Sequence, residues 1–200
     1  MHREPRRSAM GMDVESVSGR GRPAGGTRLL AAGALGALVA LSLGIYGQVH
    51  EPASDLALTL GFKDTITMKV WLATVAVLFG VVQLTSALWM YGRLPLGAAP
   101  SWIGGLHRIS GRLAFLSSLP VAYHCLYQLA FQDTTTRVLL HSLLGCLFYG
   151  AFATKVTIVR SHGLPGIALP IAGGVFFTTL VGVWLTSGLW FISENGFPAP

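Results

Sequence analysis

The chain has 200 residues, 52% of them hydrophobic and only 11% charged, and its mean hydropathy is +0.60. A soluble domain usually carries about 25% charged residues, so this composition argues against one and points to a membrane protein. The formal net charge of +6 gathers in the N-terminal tail and at the ends of apolar runs, where it reads as membrane topology, and nucleic acid is not an expected partner.

Residues 1–27 place Arg3, Arg6, Arg7, Arg20 and Arg22 among Gly, Ser and Pro, with almost no large apolar side chains. That composition predicts a disordered basic tail. The Arg6-Arg7 pair is similar to a twin-arginine signal, but the apolar run begins about twenty residues later and no A-x-A-like site closes it. A retained first span over residues 28–48 is therefore expected. Its Gly33, Gly36, Gly44 and Gly47 give a smooth surface that lets another helix come close. The following loop, VHEPASDLALTLGFKD, is amphipathic and carries His50, Glu51 and Asp55, so part of it is expected along the interface.

A second span is predicted over 65–91, with Trp71 near one end and Trp89 and Tyr91 at the other as an aromatic belt. Lys69, about one turn inside, is explained by snorkelling. The third span is predicted over 104–131 and kinked by Pro120, the fourth over 137–160 and ended by SHGLPG, and the fifth over 167–192. Residues 193–200 form a short tail. The expected fold is an all-α membrane protein, a bundle of five transmembrane helices with a disordered N-terminal tail. Cys125 and Cys146 lie inside spans without CxxC or zinc-finger spacing and read as small buried hydrophobes.

Arginine asymmetry orients the bundle. The tail, Arg93, Arg108, Arg112, Lys155 and Arg160 fall on one side; Glu51, Asp55, Lys63, Asp64, Asp133, Arg137 and Glu194 fall on the other. The positive-inside rule then predicts a cell-membrane protein with a cytoplasmic N terminus and an outer C terminus.

Ionisable residues in hydrocarbon are functional candidates, and they concentrate between His107 and Lys155. The third and fourth spans are joined by the short QDTTT break and predict an antiparallel hairpin. His124 and His141 lie on either side of that break, so their imidazoles fall at similar depth near the outer face, with His50 in the adjoining loop. His107 and His162 fall at the inner face. On the fourth span His141, Gly145, Phe148, Phe152 and Lys155 share a stripe by the 3, 4 and 7 spacing. Gly145 leaves room for a flat macrocycle beside His141, since haem iron takes axial nitrogens from facing helices. Arg108, Arg112 and Lys155 are candidates to pair with propionates or with a quinone-like or anionic ligand. His107 and His124 stand 17 positions apart, which misses a whole number of turns by roughly 100°. Helices packed directly at about 8–10 Å also crowd a haem.

The segment LLHSLLG, with His141 and Gly145, resembles the histidine-serine-x-x-glycine segment of a haem-binding helix in the cytochrome b561 family. The preceding GLHRISGRLAFLSSLPVAYHC, with His107 and His124, is similar to the helix before it. This likeness extends to ferric-reductase-like transmembrane haem proteins. It implies b-type haem and transmembrane electron transfer, with His124, His141, His107, Lys155 and Arg112 as the cofactor-binding set and a quinone or a redox protein as partner. The first, second and fifth spans carry no histidine, whereas those cytochromes distribute ligands over four helices, so one haem rather than two is the expectation. The chain as a whole also resembles a family of small bacterial multi-span proteins with no assigned activity.

Three classes of function remain open. One is a haem-binding redox protein, a transmembrane oxidoreductase component if it is an enzyme at all. The second is a non-catalytic subunit or assembly partner of a larger complex. The third is a small transporter or metal-binding protein using His50, His124 and His141. No nucleotide loop, Ser-His-Asp pattern or carboxylate pair supports hydrolytic or phosphoryl chemistry.

Overall fold

The computed structural model describes residues 25–53 and 58–200. The disorder expected of the tail falls almost wholly on residues 1–24, outside the described residues, as does part of the expected interfacial loop. The long helices are α1 (Gly25–Val49), α2 (Thr65–Met90), α3 (Ile103–Tyr123), α4 (Thr136–Arg160) and α5 (Ala168–Trp184). α3 continues as a π-helical segment, His124–Leu129. α5 continues through a second one, Leu185–Leu189, into α6 (Trp190–Asn195).

The helix boundaries have local causes. The Asp64 carboxylate caps α2 by accepting from the Thr67 N–H at 2.6 Å, which leaves one fewer amide unpaired at the helix start. That bond holds the Asp64 carboxyl below the usual carboxylate range. The Thr135 hydroxyl caps α4 at Val138 N–H. After α4 the chain turns through Gly163, whose φ of +73° is a conformation that side chains with a Cβ rarely adopt.

Among the described residues four helical runs are long and apolar enough to cross a membrane: α1, α2, α4 and Ala168–Asn195. α3 carries His107, Arg108 and Arg112 in its first three turns and is less apolar. It lies along α2, its main partner. Pro120, where a kink was expected, lies inside α3, and the π-helical turns begin four residues later. A proline removes one backbone N–H and crowds the carbonyl a turn earlier.

Packing does not follow chain order. α2 pairs with α3, while α4 sits between α1 and α5. The α1–α4 contact is made by small residues. Gly36 and Gly150 bring the two backbones together, and a Cβ on Gly150 would lie 2.5 Å from the Gly36 carbonyl oxygen. Close approach through small residues is how helices associate where lipid offers no hydrophobic drive. Gly47 also meets a neighbour, accepting from Phe131 N–H at 2.8 Å. Gly33 faces open space and Gly44 is only in ordinary contact with Cys146.

The ends of the bundle differ in charge. Arg28, Arg93, Arg108, Arg112 and Arg160 gather at one end, where the Arg28 guanidinium donates to the His162 carbonyl. At the opposite end the C-terminal segment folds back, and Trp71 Nε1–H donates to the Pro198 carbonyl at 3.1 Å.

Candidate functional site

α3 and α4 are consecutive and antiparallel, yet their backbones stay apart, because each packs on a different neighbour. The slot between them is crossed by side chains at mid-depth. Phe115 stacks on Phe152 with ring centroids 3.9 Å apart, and Tyr149 O–H donates to the Ser118 carbonyl at 3.1 Å. Phe148 continues the aromatic layer by stacking on Phe176 of α5 at 4.7 Å. This bridge separates the slot into two compartments with different chemistry.

The compartment toward the end opposite the arginines is a cavity of about 270 Å³ with almost wholly apolar walls. Its polar contributors include Arg137, His141, Ser142 and Gln132, and Gly145 lies on the same wall as His141. A Cβ on Gly145 would meet nothing within 4 Å, so the open space beside His141 expected from the sequence is present. Both π-helical segments border this cavity, through Cys125, Leu126 and Leu129 on one side and Ser187 on the other. π-helical turns are rare and occur disproportionately at functional sites. Ala130, on the cavity wall, holds φ +58° and ψ −169°. That region is nearly confined to glycine.

His141 is oriented by α5. Its Nδ1 lies 3.2 Å from Thr186 Oγ1 and 3.3 Å from the Val183 carbonyl. The Thr186 hydroxyl donates its own proton to a backbone carbonyl, Gly182 at 2.8 Å or Val183 at 3.0 Å. Both partners of the imidazole are therefore acceptors, which assigns the proton to Nδ1 and leaves Nε2 with a bare lone pair. Among the described residues Nε2 has no hydrogen-bond partner, and it is not sealed by packing. Arg137 stands a turn away, donating to the Thr186 carbonyl at 2.7 Å with its guanidinium 3.7 Å from the centroid of the Trp190 ring.

His124 lies elsewhere. It is 1% exposed, and its Nε2 faces the Leu58 backbone, 3.1 Å from the N–H and 2.8 Å from the carbonyl. It pins the α1–α2 loop and is not part of the cavity wall. Similar depth on consecutive helices therefore does not make His124 and His141 a facing pair. His50 stacks on Tyr46 at 5.0 Å and meets Tyr127 edge-on at 5.1 Å, and its buried Nε2 has no partner among the described residues. The three histidines expected to share a metal are thus separate. Among the described residues no group of three or more His, Cys, Asp or Glu is placed to hold a metal ion.

The compartment toward the arginine-rich end contains Lys155 and His107. Lys155 Nζ donates to Gln83 Oε1 at 3.4 Å and stands 5.2 Å from the centroid of the Phe176 ring. His107 Nδ1 is 2.8 Å from Ser86 Oγ. Arg112 is exposed at this end, away from the cavity. The expected cofactor set thus divides: His141 at the cavity, Lys155, His107 and Arg112 across the aromatic bridge, and His124 on the loop.

Sequence reasoning does not reach Gln83 or Thr186. A lone amide in the apolar run of α2 is itself a signal, because hydrocarbon leaves it nothing to bond. Thr186 carries no such mark, since threonine is common in spans and its role depends on which helix faces His141.

A model of a family of unknown function, DUF6529, matches residues 29–199, and the chain belongs to that family. No curated protein and no solved structure matches it, so the likeness to the cytochrome b561 family rests on the histidine segments alone.

Proposed function

We propose that this DUF6529 member is a cell-membrane protein that binds a quinone-class ligand in the cavity between α3 and α4 and serves membrane electron transfer. The observation that carries this reading is that His141, on the wall of an apolar cavity beside Gly145, has its Nδ1 engaged and its Nε2 unpartnered among the described residues. Ligand sites are mostly apolar with a few placed polar groups. A flat ring slides beside a glycine, a quinol O–H donates to Nε2, and the Arg137 guanidinium offers a donor to a carbonyl.

The same geometry supports a haem between His124 and His141 less well. A haem in this cavity finds one free imidazole nitrogen, because Nε2 of His124 is engaged by the Leu58 backbone. The arginine-rich end is read as cytoplasmic by the positive-inside rule.

Trp184 lines the cavity and provides a reporter. A short-tailed benzoquinone or naphthoquinone titrated into the purified protein in nanodiscs is expected to quench it saturably. Removing the single hydrogen bond in His141→Leu is expected to weaken binding by about tenfold, from roughly 1–1.5 kcal/mol. Thr186→Val, which releases the imidazole, is expected to weaken it less. Quenching that never saturates, or that is equal in wild type and His141→Leu, overturns the quinone reading. A sharp b-type α-band in the dithionite-reduced protein, lost in both His124→Ala and His141→Ala, returns the haem reading.

A further inference from the structure

The second compartment has no part in the quinone reading, and its chemistry calls for an anion. Lys155 lies five residues before Arg160, the last residue of α4, so it stands about 7.5 Å inside the helix end. Its ammonium has three donors, of which the structure uses one, on Gln83 Oε1. That amide cannot turn to offer more. Gln83 Nε2 donates to the His107 carbonyl and to Ser110 Oγ, and the amide lies so close against Gly111 that a Cβ there would meet it at 2.9 Å. Ser86 and Ser110 beside it are each 2% exposed. Among the described residues the polar wall therefore presents one acceptor to a cation with three donors.

No carboxylate of the described bundle answers that cation. Glu51, Asp64, Asp133 and Glu194 all lie at the opposite end. Arg108 adds to the positive charge instead, as it and Lys155 both lie within electrostatic range of His107. The spacing of the aromatic bridge shows where these cations stand. Ser118 faces Tyr149 and Phe115 faces Phe152 across the slot. One turn further toward the arginines, Gly111 faces Lys155 through the Gln83 amide, and the next turn of α3 brings Arg108. At this end Lys155 is half-buried while Arg108 and Arg112 are exposed. Basic pockets between membrane helices on the cytoplasmic side suit phosphate headgroups.

We propose that the arginine-rich end of the α3–α4 slot holds the phosphate of an anionic membrane lipid, with Lys155 as its deep contact and Arg108 at its mouth. The Gln83 amide, fixed by His107 and Ser110, positions the ammonium. The acyl chains run outward along the exposed apolar side chains of α3, Leu106, Ile109, Leu113 and Leu116.

Native mass spectrometry and thermal unfolding of the full chain in nanodiscs test this. Phosphatidylglycerol added to a phosphatidylcholine background is expected to raise the unfolding temperature saturably, with one phosphatidylglycerol retained per protein. Lys155→Met is expected to raise the half-saturating lipid fraction by roughly fivefold or more, the worth of one basic contact, while unfolding as wild type does in pure phosphatidylcholine. Lys155→Arg keeps the charge and is expected to stay within about threefold of wild type. Lys63→Gln, at the opposite end, is expected to change nothing. Inorganic phosphate giving the same stabilisation in pure phosphatidylcholine overturns the lipid assignment in favour of a soluble anion. Equal phosphatidylglycerol dependence in wild type and Lys155→Met overturns the site. So does a dependence that emerges only after deletion of residues 1–24, which would make the carboxylates of the tail the natural occupant.

Discussion

Gly150→Ala offers a direct test of the helix arrangement, because it adds one methyl group where the α1 and α4 backbones approach closely. The new Cβ would lie 2.5 Å from the Gly36 carbonyl oxygen and 2.9 Å from Ala40 Cβ, whereas ordinary contact begins at 3.4 Å. The first obstacle is backbone and the second is a Cβ, so neither can rotate away, and α1 must retreat from α4 by roughly 0.5–0.9 Å. Overpacking of this kind costs about 1–3 kcal/mol. The retreat also stretches the bond from Thr154 Oγ1 to the Ala32 carbonyl, now 3.3 Å, worth about 0.6 kcal/mol in a membrane protein. Replacing glycine by alanine inside a helix returns up to about 1 kcal/mol, leaving a net loss of roughly 0.6–2.6 kcal/mol. Gly33→Ala is the control, since its Cβ meets nothing within 4 Å and only the propensity gain applies. Reversible unfolding of both variants in bicelles measures the difference. If Gly150→Ala is as stable as Gly33→Ala, then α1 does not pack on α4 as described.

His124→Ala is expected to destabilise the protein by about 1–3 kcal/mol, because it strips the side-chain partner from the Leu58 backbone in a buried place, and to increase protease cutting in the α1–α2 loop. It should leave quinone quenching intact, and loss of quenching to the extent seen in His141→Leu would restore a site shared by the two histidines. Reporter fusions after Pro200 and at Gly97 test the orientation: a C-terminal alkaline phosphatase that is inactive, with a cytoplasmic reporter active at the same place, refutes the cytoplasmic assignment of the arginine-rich end.

The elements of this fold were legible because their causes are local. Apolar runs of sufficient length and SHGLPG as a break each act within a few residues, and the five long helices lie close to the runs so read; the caps at Asp64 and Thr135 act just as locally but were seen only in the structure. The stripe from His141 through Gly145 and Phe148 to Lys155 was equally legible, since it follows from the 3.6-residue period of one helix. The direction of His124 was not legible, because its Nε2 turns to the backbone of Leu58, a residue distant in sequence.

Tertiary structure decided which faces meet. A soluble helix announces its inner face by an apolar stripe, but a helix such as α1 is apolar all round, and its periodicity is silent about neighbours. In lipid the choice rests on close fit instead: Gly36 and Gly150 draw α1 onto α4, and α2 takes α3. Because α3 and α4 therefore stand apart, a slot opens that no local pattern encodes. Its two ends inherit their chemistry from residues distant in sequence, Thr186 behind His141 and Gln83 beside Lys155.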